Sequence, residues 1–94
     1  MKQDLLTIIN EYGIDKQLKY IHSEYYELDE AIIEKEKVGA YPGIEEKNHI
    51  KEEIADVMVM LKQFQYYYGI EDKEIEDIMK FKIQRQLDRI KEEK

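Results

Sequence analysis

The chain has 94 residues, 43% hydrophobic and 39% charged, with a formal net charge of −7. That length fits one domain, residues 1–94, and one so small that it buries only about 60–65% of the surface its unfolded chain exposes. It has no cysteine, which excludes disulfides and thiolate metal ligands. The acidic balance argues against a nucleic-acid polymer as partner. No apolar run approaches the roughly 20 residues that span a bilayer, and no signal-peptide hydrophobic region follows Met1-Lys2-Gln3-Asp4. A soluble, cytoplasmic protein with no membrane partner is the expectation.

Four glycines and one proline punctuate the chain at Gly13, at Gly39-Ala40-Tyr41-Pro42-Gly43 and at Gly69. The four segments between them repeat their apolar residues near every 3.6 positions, which predicts helices. The first, about Lys2 to Tyr12, sets Leu5, Ile8 and Ile9 on one face, with Gly13 as its C-cap. The second runs from Asp15, read as an N-cap, to about Lys37. Its predicted buried stripe is Leu18, Ile21, Tyr25, Leu28 and Ile32, with Ala31 beside it. The third runs from about Ile44 to Tyr68, with Gly69 as its cap. The fourth starts near Asp72 and continues to the end, with Ile75, Ile78, Met79, Ile83, Leu87 and Ile90 as its stripe and a frayed Lys91-Glu92-Glu93-Lys94. No strand pattern, repeat or low-complexity linker interrupts them, so the fold class is an all-α four-helix bundle.

The third helix contains the most informative stretch. From Ile54 to Leu61 only Asp56 is not apolar, and Glu53 stands three residues before it. Positions three apart share a helix face, and Ile50, Val57 and Phe64 lie on the same stripe as Glu53. Two carboxylates therefore enter a face that should be buried, where an unpaired charge is costly unless it meets a partner or a metal. The second helix offers another pair, Glu24 and Glu27, along the edge of its stripe. Each pair alone is common on solvated helix faces in a chain this charged. Packed antiparallel, the two helices can converge all four carboxylates on one point. Oxygen ligands alone favour hard cations, Mg²⁺ or Mn²⁺, and such ions serve phosphate chemistry.

Ser23-Glu24-x-x-Glu27-Leu28, followed after a gap by Glu52-Glu53-x-x-Asp56-Val57, resembles the MazG-like nucleoside triphosphate pyrophosphohydrolases of the all-α NTP pyrophosphatase superfamily. Tyr12-Gly13-Ile14 with Gln17-Leu18, Tyr68-Gly69-Ile70 and the helix Met79 to Ile90 extend the likeness, in the manner of short phage-type members. The resemblance implies Mg²⁺-dependent hydrolysis of a (d)NTP to (d)NMP and pyrophosphate. It implies Glu24, Glu27, Glu53 and Asp56 as metal ligands and catalytic groups, with Glu24 or Glu27 as general base. Lys80, Lys82 and Arg85 fall where the family often places basic residues near the substrate phosphates; a solubilising basic face explains them as well. Homodimers or homotetramers, with helices packed across subunits, are also implied. Many members begin the first motif with two adjacent acids, and here the first is Ser23. That departure supports an alternative, a non-catalytic helical nucleotide-binding or interaction module of the same fold. Glu52 adjoins the second motif but points about 100° away.

Of the two histidines, His49 precedes Glu53 by four and is placed to hydrogen-bond it. Glu46 and His49 have the Glu-x-x-His spacing of di-iron bundles, but Lys19 stands where His22 would need its glutamate, so a redox di-metal reading is the weakest. Gln17, Asn48, Tyr20, Tyr25 and Tyr41 are candidates for a base pocket. Eight tyrosines are more simply amphipathic core and interface residues.

Overall fold

The computed structural model describes residues 1–38 and 43–94. Four helices follow one another: α1 (Lys2–Tyr12), α2 (Ile14–Val38), α3 (Ile44–Tyr67) and α4 (Asp72–Glu93). No strand occurs among the described residues, so the all-α, four-helix expectation holds. The predicted loop residues 39–42, Tyr41 included, lie outside the described residues. No described helix is long and apolar enough to cross a membrane.

Gly13 alone separates α1 from α2. Its φ of +89° is a conformation that side chains rarely adopt. Its N–H closes α1 on the Ile9 carbonyl at 2.8 Å, and its own carbonyl accepts from the Gln17 N–H at 3.1 Å. The Gly13 carbonyl thus starts α2 directly, and Asp15 is not the N-cap expected from the sequence. It sits in the first turn of α2, where its charge complements the helix dipole. At the other end of the core, α3 closes in a Schellman motif with Gly69 at φ +70°. The Ile70 N–H reaches the Gln65 carbonyl and the Gly69 N–H the Tyr66 carbonyl, each at 3.0 Å.

α2 and α3 pack antiparallel, and α1 lies mainly against α3, burying Leu5 and Ile9. The inward line of α2 is Gln17, Ile21, Glu24, Leu28 and Ala31, alternating steps of three and four, and that of α3 is Glu46, Ile50, Glu53, Val57, Met60 and Phe64. The expected α2 stripe is corrected by this arrangement: Leu18, Tyr25 and Ile32 are exposed, Tyr25 by 66%. The helix is turned so that Gln17, Glu24 and Ala31 face inward instead. Small Ala31 permits a close approach, and Gln17 finds a partner in the core. Its amide donates to Gln63 Oε1 at 2.8 Å, and the Gln63 amide points at Met60 Sδ, 3.7 Å away.

A polar elbow joins α3 to α4. The Asp72 carboxylate accepts from Lys62 Nζ at 2.6 Å, Gln65 Nε2 at 2.8 Å and Tyr66 Oη at 2.8 Å. Lys2 of α1 reaches Glu71 at 3.4 Å and lies over the Tyr66 ring. The Glu71 N–H is taken by Glu74 Oε2 at 2.7 Å, anchoring the first turn of α4. Beyond this elbow α4 has no buried residue, and among the described residues no other helix runs alongside it. Three helices of the expected bundle pack within the chain; the fourth does not.

Gln63→Leu leaves the Gln17 amide buried without its acceptor, at a cost of about 1–3 kcal/mol. Urea unfolding should register that loss, and the double variant Gln17→Leu/Gln63→Leu should recover part of it. The donors around Asp72, Lys62 first, hold its pKa down at about 2 against the usual 3.8. A depressed acid stabilises the fold above its unfolded value, and that contribution disappears as pH falls through its folded value. Asp72→Asn should therefore melt below the native chain at neutral pH, and the difference should close between pH 3.8 and about 2.

Candidate metal centre

Because α2 and α3 run antiparallel, their two acidic motifs meet. One carboxylate oxygen from each of Glu24, Glu27, Glu53 and Asp56 lies within 4.8 Å of all the others. Glu24 and Glu53 are the deeper pair, whereas Glu27 and Asp56 are exposed. The helix turn that carries Gln17 and Ala31 inward also carries Glu24 inward, so it occupies the inward line and not its edge.

The site is short of positive charge. His49 Nε2 approaches Glu53 Oε1 at 3.4 Å, one turn away on the same helix. Burial, then the neighbouring carboxylates Glu27, Asp56 and Glu53, push the Glu24 carboxyl above the usual range. Burial also raises Glu53, followed by Glu27 and Asp56, with His49 opposing them. Glu24 Oε2 and Glu53 Oε2 are shielded from solvent and have no hydrogen-bond partner among the described residues. Buried carboxylate oxygens without donors are rare in folded proteins. Four carboxylates so gathered, two of them with an orphaned buried oxygen, could hold a metal ion, and an all-oxygen donor set suits a hard cation.

Lys80, Lys82 and Arg85 stand on α4, exposed, and the chain does not bring them beside the four carboxylates. Gln17 is held in the core by Gln63, where it serves the α2–α3 register. Ser23, the position of the missing acid, lines a surface hollow with Lys16, Lys19 and Tyr20. Gln63 and the Asp72 elbow escaped the sequence reading. The signal for Gln63 is its seven-residue step from Asp56, matching the step from Gln17 to Glu24. No known protein family, curated protein or solved structure matches the chain.

An acid whose folded pKa is raised costs stability once ionised, and the cost vanishes below its unfolded value. Without divalent ions, Glu24→Gln should melt above the native chain at pH 7, and the gap should narrow as pH falls toward 4.5, the ordinary glutamate value. Millimolar Mg²⁺ or Mn²⁺ should raise the melting temperature of the native chain and raise that of Glu24→Gln less. Thermal unfolding followed by circular dichroism measures both.

Proposed function

We propose that the chain is a Mg²⁺-dependent nucleoside triphosphate pyrophosphohydrolase of the MazG-like kind, converting a (d)NTP to (d)NMP and pyrophosphate. The observation that carries this reading is the convergence of four carboxylate oxygens, from Glu24, Glu27, Glu53 and Asp56, within 4.8 Å of one another. The order and spacing of the two motifs on α2 and α3 support it.

In this reading the deeper Glu24 and Glu53 anchor the cation, and the exposed Glu27 and Asp56 face the side from which a triphosphate arrives. Bound Mg²⁺ supplies charge neutralisation for the phosphoryl oxygens and for the departing pyrophosphate. The carboxylates orient a water in line with the α-phosphorus, and Glu24 or Glu27 accepts its proton. A bond from the water oxygen to the α-phosphorus forms, and the bond from that phosphorus to the α–β bridging oxygen breaks. The electron pair leaves with pyrophosphate. The raised pKa of Glu24 brings it closer to the range in which a carboxylate exchanges protons at neutral pH. Lys80, Lys82 and Arg85 serve the phosphates only if α4 is brought to the site by an arrangement beyond the single chain.

The test is pyrophosphate release from a panel of NTPs and dNTPs with Mg²⁺ or Mn²⁺. Asp56→Ala removes a ligand whose contribution is several kcal/mol, so activity should fall on the order of 100-fold or more. A Mg²⁺-dependent rise in melting temperature with no pyrophosphate from any nucleotide would sink the hydrolase reading. The alternative, a non-catalytic nucleotide-binding or interaction module, would then stand, with Ser23 in place of the usual acid as its basis.

A further inference from the structure

α2 changes charge abruptly where its acidic motif begins. From Lys16 to Ser23 it holds two lysines and no acid, whereas from Glu24 to Glu36 it holds six acids against one lysine. Glu24 and Glu27, the α2 half of the candidate metal centre, stand just past that border. Just before it, Lys16, Lys19, Tyr20 and Ser23 line a surface hollow of about 380 Å³.

The hollow and the open edge of the carboxylate cluster share one strip of surface. Lys16, Tyr20, Ser23 and Glu27 follow one another by four, three and four residues, so they lie on one face of the helix. Glu27 is the exposed α2 member of the cluster. Ser23 stands about 6 Å along the helix from Glu27, and Lys19 about 12 Å. A hydroxyl and a flexible ammonium so placed can reach the phosphates that lie next in line once the first phosphate meets a cation at the cluster. Lys16 Nζ sits over the Tyr12 ring, 4.9 Å from its centre, so α1 steadies the far wall. Among the described residues neither Lys16 nor Lys19 joins an ion pair.

Charge says what the hollow accepts. The chain carries a net charge of −7, so an anion needs a local positive patch to approach it. A cation among the carboxylates neutralises only the phosphoryl oxygens it touches, and the charge on the outer phosphates needs donors of its own. Lys80, Lys82 and Arg85 are not beside the carboxylates, whereas Lys16 and Lys19 stand on the helix that carries Glu24 and Glu27. Ser23 serves the same end. An acid at that position would stand one turn from Lys19 and pair with it. The serine leaves the ammonium free and adds a hydroxyl donor.

We propose that the hollow of Lys16, Lys19, Tyr20 and Ser23 is the subsite for the outer phosphates of the substrate, the pair that departs as pyrophosphate. The inference rests on the hydrolase reading above and narrows its substrate class to nucleotides with three phosphates. Such a substrate lies along α2, its phosphate tail toward Lys16 and its nucleoside beyond Glu27. Lys19 and Ser23 meet the nearer of the two outer phosphates and Lys16 the terminal one, so a diphosphate forfeits the Lys16 contact.

Two readouts test this subsite. The first is calorimetric binding of inorganic pyrophosphate in the presence of Mg²⁺. Lys16→Gln/Lys19→Gln, at two exposed positions, should weaken it about tenfold or more, as loss of charge-assisted hydrogen bonds does. Lys91→Gln/Lys94→Gln removes the same charge from the far end of α4 and should change the affinity by less than about twofold, since distant exposed charges are screened. Ser23→Glu should weaken binding as well. The second readout is kcat/KM for a nucleoside triphosphate against its diphosphate, a ratio that should fall about tenfold in Lys16→Gln/Lys19→Gln. A native chain that binds no pyrophosphate, an unchanged affinity in Lys16→Gln/Lys19→Gln, an equal loss in the α4 variant or tighter binding by Ser23→Glu would overturn the proposal. An unaltered ratio in a chain that does hydrolyse nucleotides would overturn it and leave the hydrolase reading standing. Pyrophosphate bound through the two lysines, with none released from any nucleotide, would keep the subsite and remove the hydrolase reading.

Discussion

Four carboxylates crowded within 4.8 Å repel one another, so the packing of α2 on α3 must be stabilised by groups other than the site itself. Those groups are the apolar residues that alternate with the acids along both helices and the hydrogen bond from Gln17 to Gln63. The Gln17–Gln63 pair and the gathering of Glu24 and Glu27 with Glu53 and Asp56 share a single antiparallel register. A slip of α3 by one residue would rotate its acids about 100° from those of α2 and bury unmatched polar groups. The glutamine pair is therefore part of the site's foundation, although it stands about two turns away. A cation placed among these carboxylates would relieve a cost the fold already carries.

The same economy of core explains α4. A three-helix unit with so few buried apolar side chains, Leu5, Ile9, Ala31, Met60 and Tyr66 among the described residues, is small for independent stability. The chain nevertheless spends its last helix outside that unit. What holds α4 in place is local and polar: three donors on Asp72 and an anchored first turn at Glu71. Such an elbow sets a direction without burying the helix.

The sequence reading captured the helices well because Gly13, Gly69 and the 39–43 cluster mark their ends and the apolar period runs unbroken between them. It also named the two acidic pairs, since an acid inside the run from Ile54 to Leu61 conflicts with its neighbours. It misjudged the facing of α2. Leu18, Tyr25 and Ile32 are more apolar than Gln17, Glu24 and Ala31, and periodicity alone assigns the more apolar set to the core. The set that packs is decided by fit, with small Ala31 and a hydrogen-bonded Gln17 at the contact.

By itself, then, the sequence determined the four helices, their order and the four carboxylates that share spacing on two of them, because these depend on local periodicity and on residues a few positions apart. Only the tertiary structure decided that the carboxylate oxygens meet, that Gln17 and Gln63 pair beneath them, that Lys62, Gln65 and Tyr66 gather on Asp72, and that α4 stands apart. Each of these depends on the relative placement of helices, which is set by side-chain fit and by the reach of polar groups across the contact.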